Sequence, residues 1–221
     1  MELKKRVGCL HAHYSNIEYI EKALSSFEVE LIHFVDPALM YRVTADENFL
    51  TSDAQNKVKE QIEWIAACNV DAILLTCTNY IAILQEDQLS IKVPIINIDE
   101  PYFDFICSIQ QPQTILFTNP ATVEGTLERL NKYADAHNKS IDLEIVVIEG
   151  TFDLIMKGQK EKYNHEICKF LKQMMKEEKE VISVAQLSMV DAAEMVESET
   201  SMKIINPLDT FVHFVGKRLE L

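Results

Sequence analysis

Short apolar runs alternate along the chain with stretches whose apolar positions recur every three or four residues, the pattern of strands alternating with helices. Arg6 to Leu10 is the first apolar run. A polar stretch from His11 to Asn16 follows, and then Ile17, Ile20 and Leu24 fall at helical spacing, with Ser15 or Asn16 placed to cap that helix. Val29 to Val35 reads as the next strand, closed by Asp36-Pro37, where proline lacks the donor a ladder needs. Thr51-Ser52-Asp53 opens a helix through Val58, Ile62 and Ile65, which leads into the apolar run from Val70. A helix from Tyr80 to Gln85 and a strand from Val93 to Ile98 come next, the latter stopped by Asp99-Glu100-Pro101, where the two acids read most simply as a helix cap.

The order then repeats. Asp71-Ala72-Ile73-Leu74-Leu75-Thr76-Cys77 aligns with Glu180-Val181-Ile182-Ser183-Val184-Ala185-Gln186, and Ile95-Ile96-Asn97 with Ile204-Ile205-Asn206. Both pairs share one offset of about 110 residues, and Ile115-Leu116-Phe117 with Val123-Glu124 echoes the opening strand and helix at nearly that offset. The reading predicts an α/β protein of two pseudo-symmetric lobes, each a parallel sheet flanked by helices, with equivalent strand ends facing one another across a cleft. Residues 1–98 with 208–221 make the first lobe in this reading, and 99–207 the second. Gln186 then stands opposite Cys77.

Composition narrows the functions. The chain has 221 residues, enough for a sizeable core, with 48% hydrophobic and 25% charged residues. A net charge of -14 without a Lys/Arg cluster argues against nucleic acid as a partner, while leaving room for a small anion held by local donors. No apolar stretch approaches the roughly 18 residues of a membrane span, and His11 and His13 interrupt the run after the basic amino terminus, so neither a membrane segment nor a signal peptide is expected. Five widely spaced cysteines suit reduced thiols in the cytoplasm, and the lack of a CxxC pair argues against a structural zinc site.

Candidate chemistry concentrates where the buried run from Val70 stops at Thr76-Cys77-Thr78-Asn79, because ligands of open α/β sheets bind beyond the carboxyl ends of strands. Taken alone, a cysteine in such a place is more often packing than chemistry. Cys9 and Cys68 read as core, and the run from Lys169 to Glu180 as a solvated helical face.

Leu74-Leu75-Thr76-Cys77-Thr78-Asn79, Val184-Ala185-Gln186-Leu187-Ser188-Met189 and the Phe117-Thr118-Asn119-Pro120-Ala121-Thr122 turn together resemble the aspartate/glutamate racemase superfamily, which includes hydantoin racemases, maleate isomerases and arylmalonate decarboxylases. The likeness extends over nearly the whole chain, through His11, the Asp36 segment, Asp99-Glu100 and Phe152-Asp153-Leu154. It implies an active site between two lobes, no metal or organic cofactor, a small carboxylate as ligand, and a homodimer as an assembly to expect. Members with two cysteines use one thiolate to remove the proton α to a carboxylate while the opposite thiol delivers another. Here Cys77 matches the first cysteine, but Gln186 takes the place of the second.

By that resemblance Cys77 is the nucleophile or base, favoured as thiolate where a helix begins. Thr76, Thr78 and Asn79 surround a substrate carboxylate, Thr118, Asn119 and Thr122 form a second anion cradle or a plain helix cap, and Gln186 and Ser188 hydrogen-bond a carboxylate or carbonyl. His11 is the candidate second acid or base, against the commoner role of a satisfied structural histidine. Two classes of function follow: a cofactor-independent enzyme working through Cys77, by racemisation, isomerisation or carbon-bond cleavage, and a carboxylate-binding protein that does not turn over.

Overall fold

The computed structural model of the chain describes residues 4–177 and 181–218, so Glu180, with which the repeated second-half strand and the charged run from Lys169 meet, lies outside the described residues, as do 219–221 of the expected first lobe. Backbone packing groups residues 4–100 with 215–218 in one unit and 101–214 in another. The divisions follow Glu100 and Phe214, whereas the strand pattern placed them after Ile98 and Pro207.

The first unit is a four-stranded parallel sheet of β1 (Lys5–His11), β2 (Val29–Val35), β3 (Ala72–Leu75) and β4 (Ile95–Asn97), in the order β2-β1-β3-β4. Helices α1 (Asn16–Leu24), α2 (Ala38–Ala45), α3 (Thr51–Ala66) and α4 (Thr78–Ile83) accompany it. All four β3 residues are buried, which is why a sheet with both faces covered reads as a continuous apolar run rather than an alternation. In the register, Cys9 lies beside His33 on one side and Leu74 on the other, and Leu10 pairs with Leu75. Side chains on neighbouring paired positions share a face, so Cys9, His11 and His33 are set on the same side of the sheet.

Local chemistry accounts for the helix starts, with two departures from the sequence reading. Ser15 precedes α1 but makes no capping bond; its hydroxyl is 2.8 Å from His13 Nδ1 instead. The helix α2, which has no strong pattern of its own, starts after Pro37, with the Asp36 carboxylate accepting from the Ala38 N–H at 2.8 Å. At α3 the Asp53 carboxylate accepts from the Leu50 N–H at 3.2 Å, and Val58, Ile62 and Ile65 form the buried stripe the spacing predicted, with Ala54 buried one turn before them. The helix expected over Tyr80 to Gln85 is α4, displaced towards Cys77.

The second unit holds β5 (Gln113–Phe117), β6 (Leu143–Val147) and β7 (Val181–Val184), parallel and ordered β6-β5-β7, with an isolated parallel bridge between Ser183 and Ile205. This order, with Ile205 beside β7, matches that of the first sheet. Its helices are α5 (Glu100–Ser108, all but its first residue), α6 (Val123–Ala136), α7 (Thr151–Met156), α8 (Lys160–Glu177), α9 (Val190–Thr200) and the part of α10 (Pro207–Arg218) up to Phe214. Alternation along β5 divides the core: Ile115 and Phe117 pack with Tyr102, Phe103, Ile106 and Leu130, while Leu116 packs with Tyr163, Ile167, Leu171, Val184 and Val196. The buried Tyr102 hydroxyl donates to Ser183 Oγ at 2.9 Å, giving its polar end a partner inside the core.

Gly8 is where β1 and α3 meet most closely. A Cβ at this position would lie 2.6 Å from Ile65 Cγ2 and 3.3 Å from Val70 Cγ1, and Ile65 is a branched side chain held on a helix. Gly8→Ala is therefore expected to push α3 away from the sheet and to destabilise the protein by about 1–3 kcal/mol, read as a lower urea midpoint.

Candidate active site

The first polar corner grows from the carboxyl end of β3. Thr76 continues the strand, its N–H donating to the Leu10 carbonyl at 3.1 Å, and its side chain is buried. Cys77 then takes the N-cap of α4 in an extended conformation, φ -112° and ψ 117°, with its carbonyl accepting from the Ile81 N–H at 3.1 Å. Cys77, Thr78 and Asn79 are half-buried, between the fully buried strand and the buried Tyr80. Tyr80 anchors the corner: its hydroxyl donates to the Asp36 carbonyl at 2.8 Å, tying α4 to the end of β2, and the Asp36 carboxylate accepts from Gln61 of α3. Burial, then the nearby Asp36 and Cys77, push the Tyr80 phenol up, so it remains a protonated donor.

Behind Thr76 lies a chain of side chains. His11 is fully buried, with Nδ1 2.8 Å from Thr76 Oγ1 and Nε2 2.9 Å from His33 Nδ1. His33 Nε2 is in turn 3.0 Å from Glu21 Oε1, at the exposed end. A carboxylate can only accept, so the order of donors follows: His33 donates to Glu21, His11 Nε2–H to His33 Nδ1, and Thr76 to His11 Nδ1. Asn16 Nδ2 donates to Thr76 Oγ1 at 3.3 Å. Desolvation, reinforced by His33, lowers the His11 pKa to about 4, so the imidazole is neutral near neutral pH. His11 therefore meets its surroundings through Thr76 and His33.

The second polar corner is built in the other unit, on the turn after β5. Gln186 follows β7, and its side-chain oxygen accepts from the Thr118 N–H at 2.7 Å, the Thr118 hydroxyl at 2.8 Å and the Asn119 N–H at 3.1 Å. Two backbone donors on one oxygen fix which way round the amide lies. Thr118 Oγ1 is also 2.9 Å from the Tyr163 hydroxyl, which is 2.8 Å from Ser188 Oγ. Since Thr118 spends its one proton on Gln186, Tyr163 donates to Thr118 and Ser188 to Tyr163. Asn119 Oδ1 accepts from the Ala121 N–H at 3.1 Å, and the Thr122 hydroxyl donates to the Asn119 carbonyl at 2.9 Å, so both residues serve the turn as caps.

The structure thus brings Thr76, Cys77, Thr78, Asn79 and His11 together in one unit, and Thr118, Asn119, Thr122, Gln186 and Ser188 together in the other. The sequence reading passed over His33, Asn16, Tyr80 and Tyr163. Tyr163 lies far along the chain from its partners on a helix that reads as an ordinary amphipathic one, and His33 sits in the middle of a strand. Only the β1–β2 register joins it to His11. Cys68 also departs from expectation: it is half-buried after α3, its thiol donating to the Trp64 carbonyl at 3.5 Å, and is not a core residue.

No protein-family model and no curated protein matches the chain. Solved structures do. Aspartate racemase from Picrophilus torridus matches with a TM-score of 0.70 and 15% identity, over 96% of this chain and 93% of that one. Allantoin racemase from Klebsiella pneumoniae gives 0.67 and 16%, over 98% and 88%. The chain shares their fold. Glutamate racemase from Francisella tularensis, solved with D-glutamate, shares this racemase fold with a TM-score of 0.67 and 13% identity, over 98% of this chain and 81% of its own. Among the described residues no helix is long and apolar enough to cross a membrane.

Removing the Gln186 amide leaves three donors of the Thr118–Asn119 turn without their acceptor. Gln186→Ala is expected to cost about 2 kcal/mol of stability, whereas Gln186→Glu, which keeps an acceptor oxygen, retains most of it; urea unfolding of the two variants against the parent measures the difference.

Proposed function

We propose that the chain is a cofactor-independent enzyme that acts on a small carboxylate, an amino acid, a hydantoin or a dicarboxylate, through Cys77. The observation carrying this reading is the placement of Cys77: half-buried, at the end of a fully buried strand and the start of a helix, with polar Thr76, Thr78 and Asn79 around it. The other sulfurs fit this role less well, since Cys9, Cys107 and Cys168 are buried and Cys68 donates to its own helix. In this reading the Cys77 thiolate takes the proton α to the carboxylate, and the C–H electron pair moves into an enolate-like intermediate that is then reprotonated. Thr78 and Asn79 supply donors for the substrate carboxylate.

Gln186 shapes the reaction expected. An amide does not exchange a proton near neutral pH, and its oxygen already accepts three hydrogen bonds within its own unit. The two-thiol inversion of the superfamily is therefore replaced here by a one-thiol reaction. His11 is the second acid or base in this scheme, and it reaches the Cys77 corner through the Thr76 hydroxyl. Thr118, Asn119, Thr122 and Ser188 form a corner with the chemistry of a carboxylate cradle, whose acceptor position Gln186 now fills. A single reactive thiol also suits a lyase or decarboxylase, and the lack of a second thiol suits a carboxylate-binding protein without turnover.

Solvent deuterium incorporation at the α carbon of aspartate, glutamate and hydantoins, run beside carbon dioxide release from substituted malonates, separates these readings. Exchange or release that falls at least a hundredfold in Cys77→Ser, with fast alkylation of Cys77 in the parent, is the expected result. Saturable binding with neither reaction would leave the binding protein. A Cys77 that resists alkylation in the folded protein would sink the catalytic reading.

A further inference from the structure

Two members of the cluster behind Thr76, Cys9 and His33, have no part in the carboxylate chemistry. Cys9 and His11 are two positions apart on β1 and so share a face, and His33 is the register partner of Cys9 on β2. One ligand atom from each of the three lies within 4.8 Å of the others. We propose that Cys9, His11 and His33 form a binding site for a single transition-metal cation of borderline softness, with Zn²⁺ as the reference ion. The proposal does not rest on the reading of Cys77, and an ion held here would take His11 out of its acid–base role.

Three observations support it. The first is distance. His11 Nε2 and His33 Nδ1 are 2.9 Å apart, and two imidazole nitrogens on a tetrahedral zinc stand about 3.3 Å apart given Zn–N bonds of about 2.0–2.1 Å. For the two nitrogens a shift of a few tenths of an ångström exchanges the hydrogen bond for a shared ion, and the Cys9 sulfur, within 4.8 Å of both, closes to about 3.5 Å given a Zn–S bond of about 2.3 Å. The second is the outer shell. Histidines that ligate metals give their other ring nitrogen to a carboxylate, a carbonyl or a hydroxyl, which fixes the ring. His33 already has Glu21 on Nε2, and His11 already has Thr76 on Nδ1. Thr76 Oγ1 also lies 3.2 Å from the Leu10 carbonyl, so it has an acceptor for its proton when His11 Nδ1 turns from acceptor to donor.

The third is access. Cys9 and His11 are fully buried, but the His33 side chain is 15% exposed and Glu21 reaches solvent, so an ion has a way in along that edge. Binding balances simply. Zn²⁺ displaces the thiol proton of Cys9, which leaves as one H⁺, and the His11 proton moves from Nε2 to Nδ1 with no net gain or loss. The fourth position falls to a solvent molecule on the His33 side. The ion would fasten β1 to β2 directly beneath Thr76, one residue from Cys77.

Titration of reduced, chelator-treated protein with Co²⁺ tests the assignment, because a cobalt–thiolate bond gives a charge-transfer band that oxygen and nitrogen ligands do not. One equivalent should develop this band with tetrahedral visible absorption, and Zn²⁺ should displace it. Cys9→Ala should abolish the band, His33→Gln should weaken binding at least tenfold, Glu21→Gln about tenfold, and Cys77→Ser should leave it unchanged. Circular dichroism checks that each variant is folded; if buried Cys9→Ala does not fold, the more exposed His33→Gln and Glu21→Gln decide. Lack of saturable binding in the parent, a band that survives in folded His33→Gln at full affinity, or one lost in Cys77→Ser would overturn the proposal.

Discussion

The register of β1 between β2 and β3 is the constraint on which the first unit depends. It sets Cys9 beside His33 and Leu10 beside Leu75, and so delivers His11 to Thr76 at the point where β3 ends. A slip of one residue would turn every β1 side chain to the opposite face, sending His11 and Cys9 into the α3 side and Gly8 away from Ile65. The apolar residues of β1 and the narrow approach at Gly8 make such a slip costly. The placement of the polar residues around Cys77 therefore rests on ordinary packing several residues away.

The two polar corners solve the same local problem in different ways. Both follow a strand that runs into the start of a helix or 3-10 turn, where backbone N–H groups lack intrahelical acceptors. At Thr118 and Asn119 the Gln186 oxygen supplies the acceptor from within the chain. At Cys77 the strand ends instead in a half-buried thiol between hydroxyl and amide side chains. One corner is closed on itself and structurally satisfied; the other presents the side chain with chemical reach. That asymmetry, rather than a count of cysteines, is the basis on which a one-thiol reaction is proposed.

Much of this was legible in the sequence because buried parallel strands announce themselves as apolar runs. Val29–Val35 appears in the structure with the bounds read from the pattern, and the stripe from Val58 to Ile65 lies where its spacing placed it. The shared offset showed that strands recur in the second half, but their order in each sheet came only from the structure. What escaped has a common cause. His33 joins His11 only through strand pairing, and Tyr163 joins Thr118 and Ser188 only through the docking of α8 on its sheet. Searching for CxxC looks along the chain, whereas Cys9, His11 and His33 are gathered across it. The short helix α2 was missed because its weakly patterned residues follow a proline that had already been read as an ending.

The hydroxyl chain from Ser188 through Tyr163 and Thr118 to Gln186 has a further consequence. Each hydroxyl carries one proton, so an acceptor at one end orients every rotor behind it, and the three bond dipoles point the same way. The corner is consequently a polarised row rather than a set of separately adjustable groups. Exchanging the terminal oxygen for a donor would reverse the whole row, so residue 186 governs the electrostatic sign felt as far away as Ser188.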